Sequence, residues 1–433
     1  MSTLREFHRA RISKGLKISM VSLGCVRNTV DSETMMGTLE RKGARFCDVE
    51  GADAVIVNTC GFIEDAKKES IDTILELLKL KRQGKVKRVI VAGCLTQRYV
   101  KEMLPELKGV DAFVGVQALR KDAPQSKGYL TPKHFGYLKI CESCFNQCSF
   151  CAIPAIKGRF TSRTMEAVLE DVRRFDKAGT RELNIVGQDV TAYGLDIYRQ
   201  KKLAELLRRI AHEVKIVEWL RLLYTYPAHI TDELLEVMAS ESRVCKYLDV
   251  PLQHVSDRIL KSMNRNITKV QTERLIEKIR RKVPGVFLRT TFIVGYPGET
   301  DREFAELLGF LKKHPFERVG VFQYSREEGT KAYGLKAQVP EKVKRARMDQ
   351  LMKTQAQAAA VFHESIVGRV IKILVEELES GGENIYTGRS EYDAPDVDGT
   401  CFIRSPKPLV IGRLVPVRIT AALGYDLEGE AVT

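Results

Sequence analysis

Cys144-Phe145-Asn146-Gln147-Cys148-Ser149-Phe150-Cys151 holds three cysteines, spaced by three residues and then by two. A loop this short can turn three thiolates onto one face of a small metal cluster. Three thiolates do not saturate four irons, so one iron stays open to a substrate or cofactor. A four-cysteine electron-transfer site or a closed structural zinc site leaves no such position. The stretch follows a strand candidate, Tyr137–Ile140, and opens a long alternation of apolar runs and amphipathic segments. Further strands are expected at Glu182–Val186, Leu220–Tyr224, Tyr247–Val250, Leu288–Val294 and Val319–Tyr324. Met165–Lys177, Lys202–Ala211 and Val270–Lys282 read as helices between them. Six such units make a partial (β/α) barrel, too few for the closed eight-stranded form.

Upstream, Ile18–Leu23, Ala54–Asn58 and Arg88–Ala92 read as strands, and Asp31–Lys42 and Glu64–Leu80 as helices. Asp31 or Ser32 is the expected cap of the first helix. This order implies a parallel α/β unit. A cysteine follows each strand: Cys25, Cys60 and Cys94. In a parallel sheet all strand carboxyl ends lie at one edge, where ligands bind, so the three should converge. Each has a neighbouring glycine that lets backbones approach closely. One cysteine at a strand end is ordinary packing by a small hydrophobe; three in register at one edge point to ligation. Cys47, Cys245 and Cys401 follow no pattern. Cys141 adds a thiol beside the loop and reads as incidental.

Downstream of Pro340, Glu341–His363 reads as a charged helix. Val370–Val375, Ile385–Ser390, Thr400–Arg404 and Val415–Thr420 then follow as strands of a small antiparallel barrel or sheet, with a turn at Gly381-Gly382. Lys121–Lys133 has the proline and glycine content of a linker. The expected units are 16–122, 134–335, a helical connector 336–365, and 366–433. The 433 residues have room for about two to four domains. No apolar run reaches the roughly 18 residues of a membrane span, and basic Met1 to Lys17 lacks the apolar segment of a signal peptide. Ten cysteines without a secretion signal fit a reducing compartment, the cytoplasm, and metal or catalytic thiols rather than disulfides. The net charge of +14 suggests an anionic partner such as RNA or the ribosome. Residues 366–433, however, carry seven basic against eleven acidic side chains, so the positive charge lies in the rest of the chain.

Together these residues resemble the radical S-adenosyl-L-methionine (SAM) methylthiotransferases. The matching stretches include Ser22-Leu23-Gly24-Cys25, Asn28 with Val30-Asp31-Ser32-Glu33, and Val57-Asn58-Thr59-Cys60-Gly61-Phe62-Ile63. Further along come Gly93-Cys94-Leu95, Gln188-Asp189 with Ala192-Tyr193-Gly194, and Tyr247-Leu248-Asp249 with Pro251-Leu252-Gln253-His254. Gly295-Tyr296-Pro297-Gly298-Glu299-Thr300, Asp393-Ala394-Pro395 with Asp398-Gly399, and Tyr425-Asp426-Leu427 with Gly429 complete the pattern. The resemblance implies three parts: an N-terminal cluster domain, a radical SAM partial barrel and a C-terminal TRAM domain. It implies two 4Fe–4S clusters, on Cys144, Cys148 and Cys151 and on Cys25, Cys60 and Cys94, with SAM as co-substrate.

In the implied chemistry the first cluster and SAM generate a radical, and the second delivers a thiomethyl unit. The branch most similar to this chain modifies the β-carbon of an aspartate in small-subunit ribosomal protein twelve. Implied partners are that protein or the ribosomal small subunit, an electron donor such as flavodoxin or ferredoxin, and a sulfur donor. Two alternatives stand beside it. One is methylthiolation of an adenosine in tRNA, although the acidic C-terminal segment suits a basic protein better than RNA. The other is a non-catalytic, metal-stabilised RNA-binding protein with zinc on some thiols. The family usually reads Glu-Gly-Cys into the loop, whereas this chain reads Glu142-Ser143-Cys144. Serine does not take positive φ as freely as glycine.

Polar residues at the expected strand ends are candidates for holding SAM: Gln188, Asp189 and Gln253, with His254 read as structural. Arg289, near the start of a strand, can pair with a SAM carboxylate or make a structural ion pair. Gly295 to Thr300 lacks the Gly-Lys-Ser/Thr ending of a phosphate loop and reads as a strand-to-helix turn.

Overall fold

The computed structural model describes residues 14–116, 121, 130–379 and 384–432. The basic N-terminal stretch up to residue 13, most of the expected linker and the Gly381-Gly382 turn lie outside them. Among the described residues no helix is long and apolar enough to cross a membrane.

The N-terminal sheet contains β1 (Lys17–Ser22), β2 (Arg45–Phe46), β3 (Ala54–Thr59), β4 (Val89–Gly93) and β5 (Ala112–Val114), all parallel, in the order β2-β1-β3-β4-β5. β3 is buried along its whole length, as its unbroken Ala-Val-Ile-Val run requires of a strand covered on both faces. β2 and β5, of two and three residues, are too short to show a period in the sequence. Helices α1 (Val26–Arg41), α2 (Glu64–Arg82) and α3 (Cys94–Glu106) follow β1, β3 and β4.

The cap expected at Asp31 or Ser32 is corrected: α1 starts five residues earlier, with Cys25 in the cap position. Both side chains are inside the helix and buried. Ser32 Oγ donates to Ser22 Oγ at 2.8 Å and accepts from Asn58 Nδ2 at 2.8 Å. These polar groups tie α1 to β1 and β3 instead of ending it.

The central domain runs β6 (Phe135–Lys139), β7 (Cys141–Glu142), α4 (Ile153–Lys157), β8 (Thr161–Ser162), α5 (Met165–Ala178), β9 (Glu182–Val186), α6 (Leu203–Glu213), β10 (Trp219–Leu222), α7 (Asp232–Ser240), β11 (Val244–Asp249), α8 (Asp257–Ser262), α9 (Lys269–Lys282), β12 (Phe287–Val294), α10 (Asp301–Lys313) and β13 (Arg318–Gln323). Six strands form one parallel sheet, β6-β9-β10-β11-β12-β13. β12 shows the partial barrel's two faces: Leu288, Thr290, Phe292 and Val294 are buried, while Arg289, Thr291 and Ile293 alternate with them. The strand expected at Leu220–Tyr224 stops at Leu222, because Tyr224 turns out of the sheet with φ +63°. In the Gly295–Thr300 turn, Glu299 accepts from the Tyr296 N–H at 3.1 Å, and Glu303 accepts from the Thr300 N–H at 2.9 Å to cap α10.

Helix α11 (Glu341–Glu364) packs on β13 and leads to a closed barrel of β14 (Val370–Leu378), β15 (Ile385–Ser390), β16 (Cys401–Arg404), β17 (Leu414–Leu423) and β18 (Asp426–Ala431). The expectation of a purely antiparallel arrangement is corrected at one seam: β16 and β18 pair in parallel. A ring of five strands cannot alternate direction all the way round, so one pair must run the same way.

This small barrel docks near the amino ends of the central strands. Arg221 Nε and Arg389 Nη2 each reach Glu182 at 2.7 Å. Tyr137 OH donates to Asp396 at 3.0 Å and Tyr247 OH to Asp398 at 2.7 Å, and Arg318 pairs with Asp393. A ring of charged and phenolic groups inside one barrel is thereby neutralised by a loop of the other.

Candidate active site

The strand-end cysteines are placed by backbone crowding. Gly24 has φ +85°, and a Cβ there would stand 2.5 Å from Cys60 Cβ. A Cβ on Gly61 would lie 2.7 Å from Leu95 Cα, and one on Gly93 2.3 Å from Asn58 Oδ1. Only glycine lets the three loops come this close. Cys25, Cys60 and Cys94 consequently feel one another's charge. Burial pushes the Cys94 thiol up to about 12 and the Cys60 thiol also upward. Burial, the largest single influence, acts the same way on Cys25, but the Arg27 guanidinium together with the Asn28 and Arg27 N–H groups holds that thiol below its ordinary value.

The loop from Cys144 to Cys151 is closed at its base by the β7–β8 pairing, Cys141 opposite Ser162 and Glu142 opposite Thr161. Ser143 adopts φ +65°, the conformation for which glycine is the usual residue. Its Oγ donates to the Gly158 carbonyl at 2.6 Å, a bond that glycine could not make. Cys144 Sγ accepts from Asn146 N at 3.3 Å and Asn146 Nδ2 at 3.4 Å, and Arg265 Nη1 lies 3.9 Å from Cys148 Sγ. Burial raises Cys144 to about 11 and Cys151 to about 12.

Thiols raised by burial, as at Cys60, Cys94, Cys144 and Cys151, become thiolates when they bind a metal, and thiolates are the ligands that iron–sulfur clusters take. Among the described residues no three His, Cys, Asp or Glu side chains are placed to hold a single ion.

A cavity of about 400 Å³ is lined by residues adjoining both sets, Val26 next to Cys25 and Phe150 next to Cys151 among them. Its wall includes Phe62 and Ile63 from beyond β3, Phe150 from the cysteine loop, Tyr224, Gln253 and Arg289 from the barrel, and Pro395 and Val397 from the C-terminal barrel. Gln253 has φ +72°, and its Oε1 is buried without a partner, as is Gln188 Oε1. Orphaned acceptors cost free energy unless a ligand satisfies them, so these two atoms fit a donor-bearing cofactor such as SAM. Strained backbone at Tyr224 and Gln253 is the kind of conformation that clusters at functional sites.

Of the four expected SAM contacts, Gln253 and Arg289 are on the wall; Gln188 and Asp189 are not among the lining residues. Gln188 Nε2 donates to Glu142 at 2.9 Å. Asp189 accepts from Asn146 at 3.0 Å and meets His229 Nδ1 at 2.7 Å. Arg289 pairs with Asp249 at 3.4 Å and Asp398 at 3.5 Å. His254 is buried, its Nδ1 accepts from the Ser256 N–H at 3.0 Å, and burial lowers its pKa to about 3. Cys141 is buried in the core with Sγ 3.6 Å from the Asp189 carbonyl.

A buried quartet bridges the two thiol sets. Lys157 pairs with Asp31 at 2.7 Å and approaches Glu142 at 3.6 Å; Lys139 pairs with Glu142 at 2.6 Å and also with Asp31. Asp31 belongs to the helix that starts at Cys25, and Glu142 and Lys157 flank the cysteine loop. Two cations and two carboxylates thus fix one donor set against the other. Sequence reading missed this quartet, Asn146, Arg265 and Tyr224. Asn146 sits within the quoted loop, and Asp31 and Glu142 stood in stretches singled out for other reasons, but nothing local marked Lys139, Lys157, Arg265 or Tyr224.

Residues 138–311 match the radical SAM superfamily, residues 17–115 an uncharacterized protein family, UPF0004, and residues 367–432 the TRAM domain. The chain is similar to the ribosomal protein uS12 methylthiotransferase RimO of Pelotomaculum thermopropionicum, at 45% identity over 96% of this chain and 100% of that protein. The protein of the same name from Thermoanaerobacter sp. is 43% identical over 95% and 99%. Among solved structures, the radical S-adenosylmethionine methyltransferase TsrM from Kitasatospora setae superposes with a TM-score of 0.51. At 14% identity, over 71% of this chain and 72% of that one, it shares the fold alone.

Proposed function

The chain belongs to the RimO family of radical SAM methylthiotransferases, and from that premise we propose that it attaches a methylthio group to the β-carbon of an aspartate in ribosomal protein uS12. The observation that supports this reading is a largely apolar cavity lined by residues adjoining both three-thiol sets, Val26 and Phe62 beside one and Phe150 within the loop of the other. Hydrogen on an aspartate β-carbon is not acidic, so no side-chain base can remove it. When bound, two 4Fe–4S clusters and SAM supply the radical and the sulfur chemistry that side chains lack.

The chain's own part is to hold, orient and exclude water. Cys144, Cys148 and Cys151 would hold the radical-generating cluster within residues 134–335. Cys25, Cys60 and Cys94 would hold the sulfur-delivering cluster within 16–122. The free acceptor of Gln253 on the wall and that of Gln188 beside Glu142 would receive donors of SAM, and Arg289 offers a guanidinium to a carboxylate. Phe62, Ile63, Phe150 and Phe322 line the cavity with apolar surface, which keeps water from reactive species. The excess of acid in residues 366–433 favours a basic ribosomal protein as partner. A low-potential electron donor such as flavodoxin or ferredoxin and a sulfur donor complete the system, which would work in the cytoplasm where ribosomal proteins are made.

The positive charge of the rest of the chain favours a second reading, tRNA as substrate. An anaerobic assay separates the two: reconstituted enzyme, SAM, reductant and sulfide, offered uS12, small subunits and tRNA in separate reactions. A mass gain equal to one methylthio group on uS12 is expected. Gain on tRNA and none on the protein would overturn the substrate assignment.

A further inference from the structure

Four guanidiniums around the central barrel have carboxylates: Arg221 with Glu182, Arg289 with Asp249, Arg318 with Asp393, and Arg389 with Glu182 and Glu376. Arg265, over the Tyr226 ring and 3.9 Å from Cys148 Sγ, has no ion-paired carboxylate among the described residues. Arg27 is the corresponding case at the strand-end thiol set. It lies two residues past Cys25, in the first turn of α1, and among the described residues no carboxylate forms an ion pair with it. Its Nη1 donates to the Gly187 carbonyl at 3.3 Å, across the boundary between the first two domains. The guanidinium carbon lies 4.3 Å from the centroid of the Tyr224 ring. Tyr224 holds that ring in place from a left-handed backbone, φ +63°, which an aromatic residue takes only at a cost. Two observations independent of each other, a strained shelf and an unpaired cation upon it, thus meet beside Cys25.

A half-buried charge without an ion-paired carboxylate is unfavourable. It is tolerated where an anion arrives with a ligand, and three thiolates on iron are such an anion. We propose that Arg27 is the positioning residue that sets the reduction potential of the cluster held by Cys25, Cys60 and Cys94. The inference rests on the two-cluster reading above. Reduction adds one electron to the cluster and makes it more negative; a fixed cation beside it favours that form and raises the potential. Tyr224 keeps the cation from swinging to solvent, and the Gly187 carbonyl sets its orientation.

The test uses the full chain with the other set removed, Cys144→Ala/Cys148→Ala/Cys151→Ala, reconstituted anaerobically. About four irons per chain should remain. A parent that loads none refutes the two-cluster reading itself, and with it the proposal. In the loaded protein, potentiometric titration followed by absorbance and electron paramagnetic resonance gives the midpoint potential. Arg27→Gln should shift it downward at unchanged iron content, while Arg27→Lys, which keeps the charge, should stay close to the parent. An unchanged potential in Arg27→Gln, or Arg27→Lys falling as far as Arg27→Gln, overturns the proposal. If Arg27→Gln loads poorly, Tyr224→Leu decides: a downward shift supports the shelf, and none overturns it. None of these readings depends on whether the substrate is protein or tRNA.

Discussion

The two thiol sets are assembled by opposite routes. Cys144, Cys148 and Cys151 come from one loop pinned at its base by two short strands, so their convergence is local. Cys25, Cys60 and Cys94 come from three separate segments, and only the parallel order of β1, β3 and β4 brings them together. A local set tolerates errors elsewhere in the fold, whereas a set assembled by topology fails when any one of three loops is pushed aside. The difference also predicts that the two can be lost separately.

The largest effects come from the ligands themselves. Cys148→Ala should abolish SAM cleavage, and Cys25→Ala should leave it while abolishing sulfur insertion; each should remove about four of eight irons. Iron analysis with 5′-deoxyadenosine release measures both, and sulfur insertion surviving in Cys25→Ala would refute the division of labour. Next is Gly24→Ala, which combines positive φ with a collision at Cys60. It should empty the strand-end set and spare the loop set, whereas full iron content would show that the three loops have slack.

The buried quartet is the joint between the sets. Asp31→Asn leaves two lysines on one carboxylate, and breaking such a pair costs about 3–5 kcal/mol, readable by urea denaturation of the apoprotein. The same joint should weaken in acid. Burial opposes the charge on Glu142, but Lys139 and Lys157 hold its pKa at about 2 against an ordinary 4.5. A depressed carboxyl gives its full stabilisation above the unfolded value and loses it as pH falls toward the folded one. Apoprotein stability should therefore drop between about pH 4.5 and 2, and the drop should shrink in Glu142→Gln. The smallest effect is expected at Ser143→Gly. Relief of positive φ and loss of the bond to Gly158 offset each other within about 1 kcal/mol, so calorimetry should show little change.

Much of this was legible in advance because the signals are periodic or closely spaced. All six barrel strands announce themselves as apolar runs, and the loop cysteines by spacing alone. Cys25, Cys60 and Cys94 became legible only through the rule that parallel strands end at one edge. Asp31 misled, since an acidic residue ahead of an apolar stretch looks like a cap, while its real partners, Lys139 and Lys157, lie more than a hundred positions away. Arg265 and Tyr224 carry no local mark, because their roles depend on a register that no short window contains. Serine at position 143 was readable as a departure but not as a compensated one, since its partner Gly158 lies across the loop.

The loop from Arg389 to Asp398 has a further consequence, one of timing. Arg318, inside the central barrel, pairs with Asp393, and Tyr137 and Tyr247 donate to Asp396 and Asp398. These partners follow the whole central domain in the chain. On a growing chain, the barrel interior therefore carries uncompensated polar groups until residues 393–398 have emerged. The central domain, although it precedes that loop in sequence, reaches its final form only once the loop is in place.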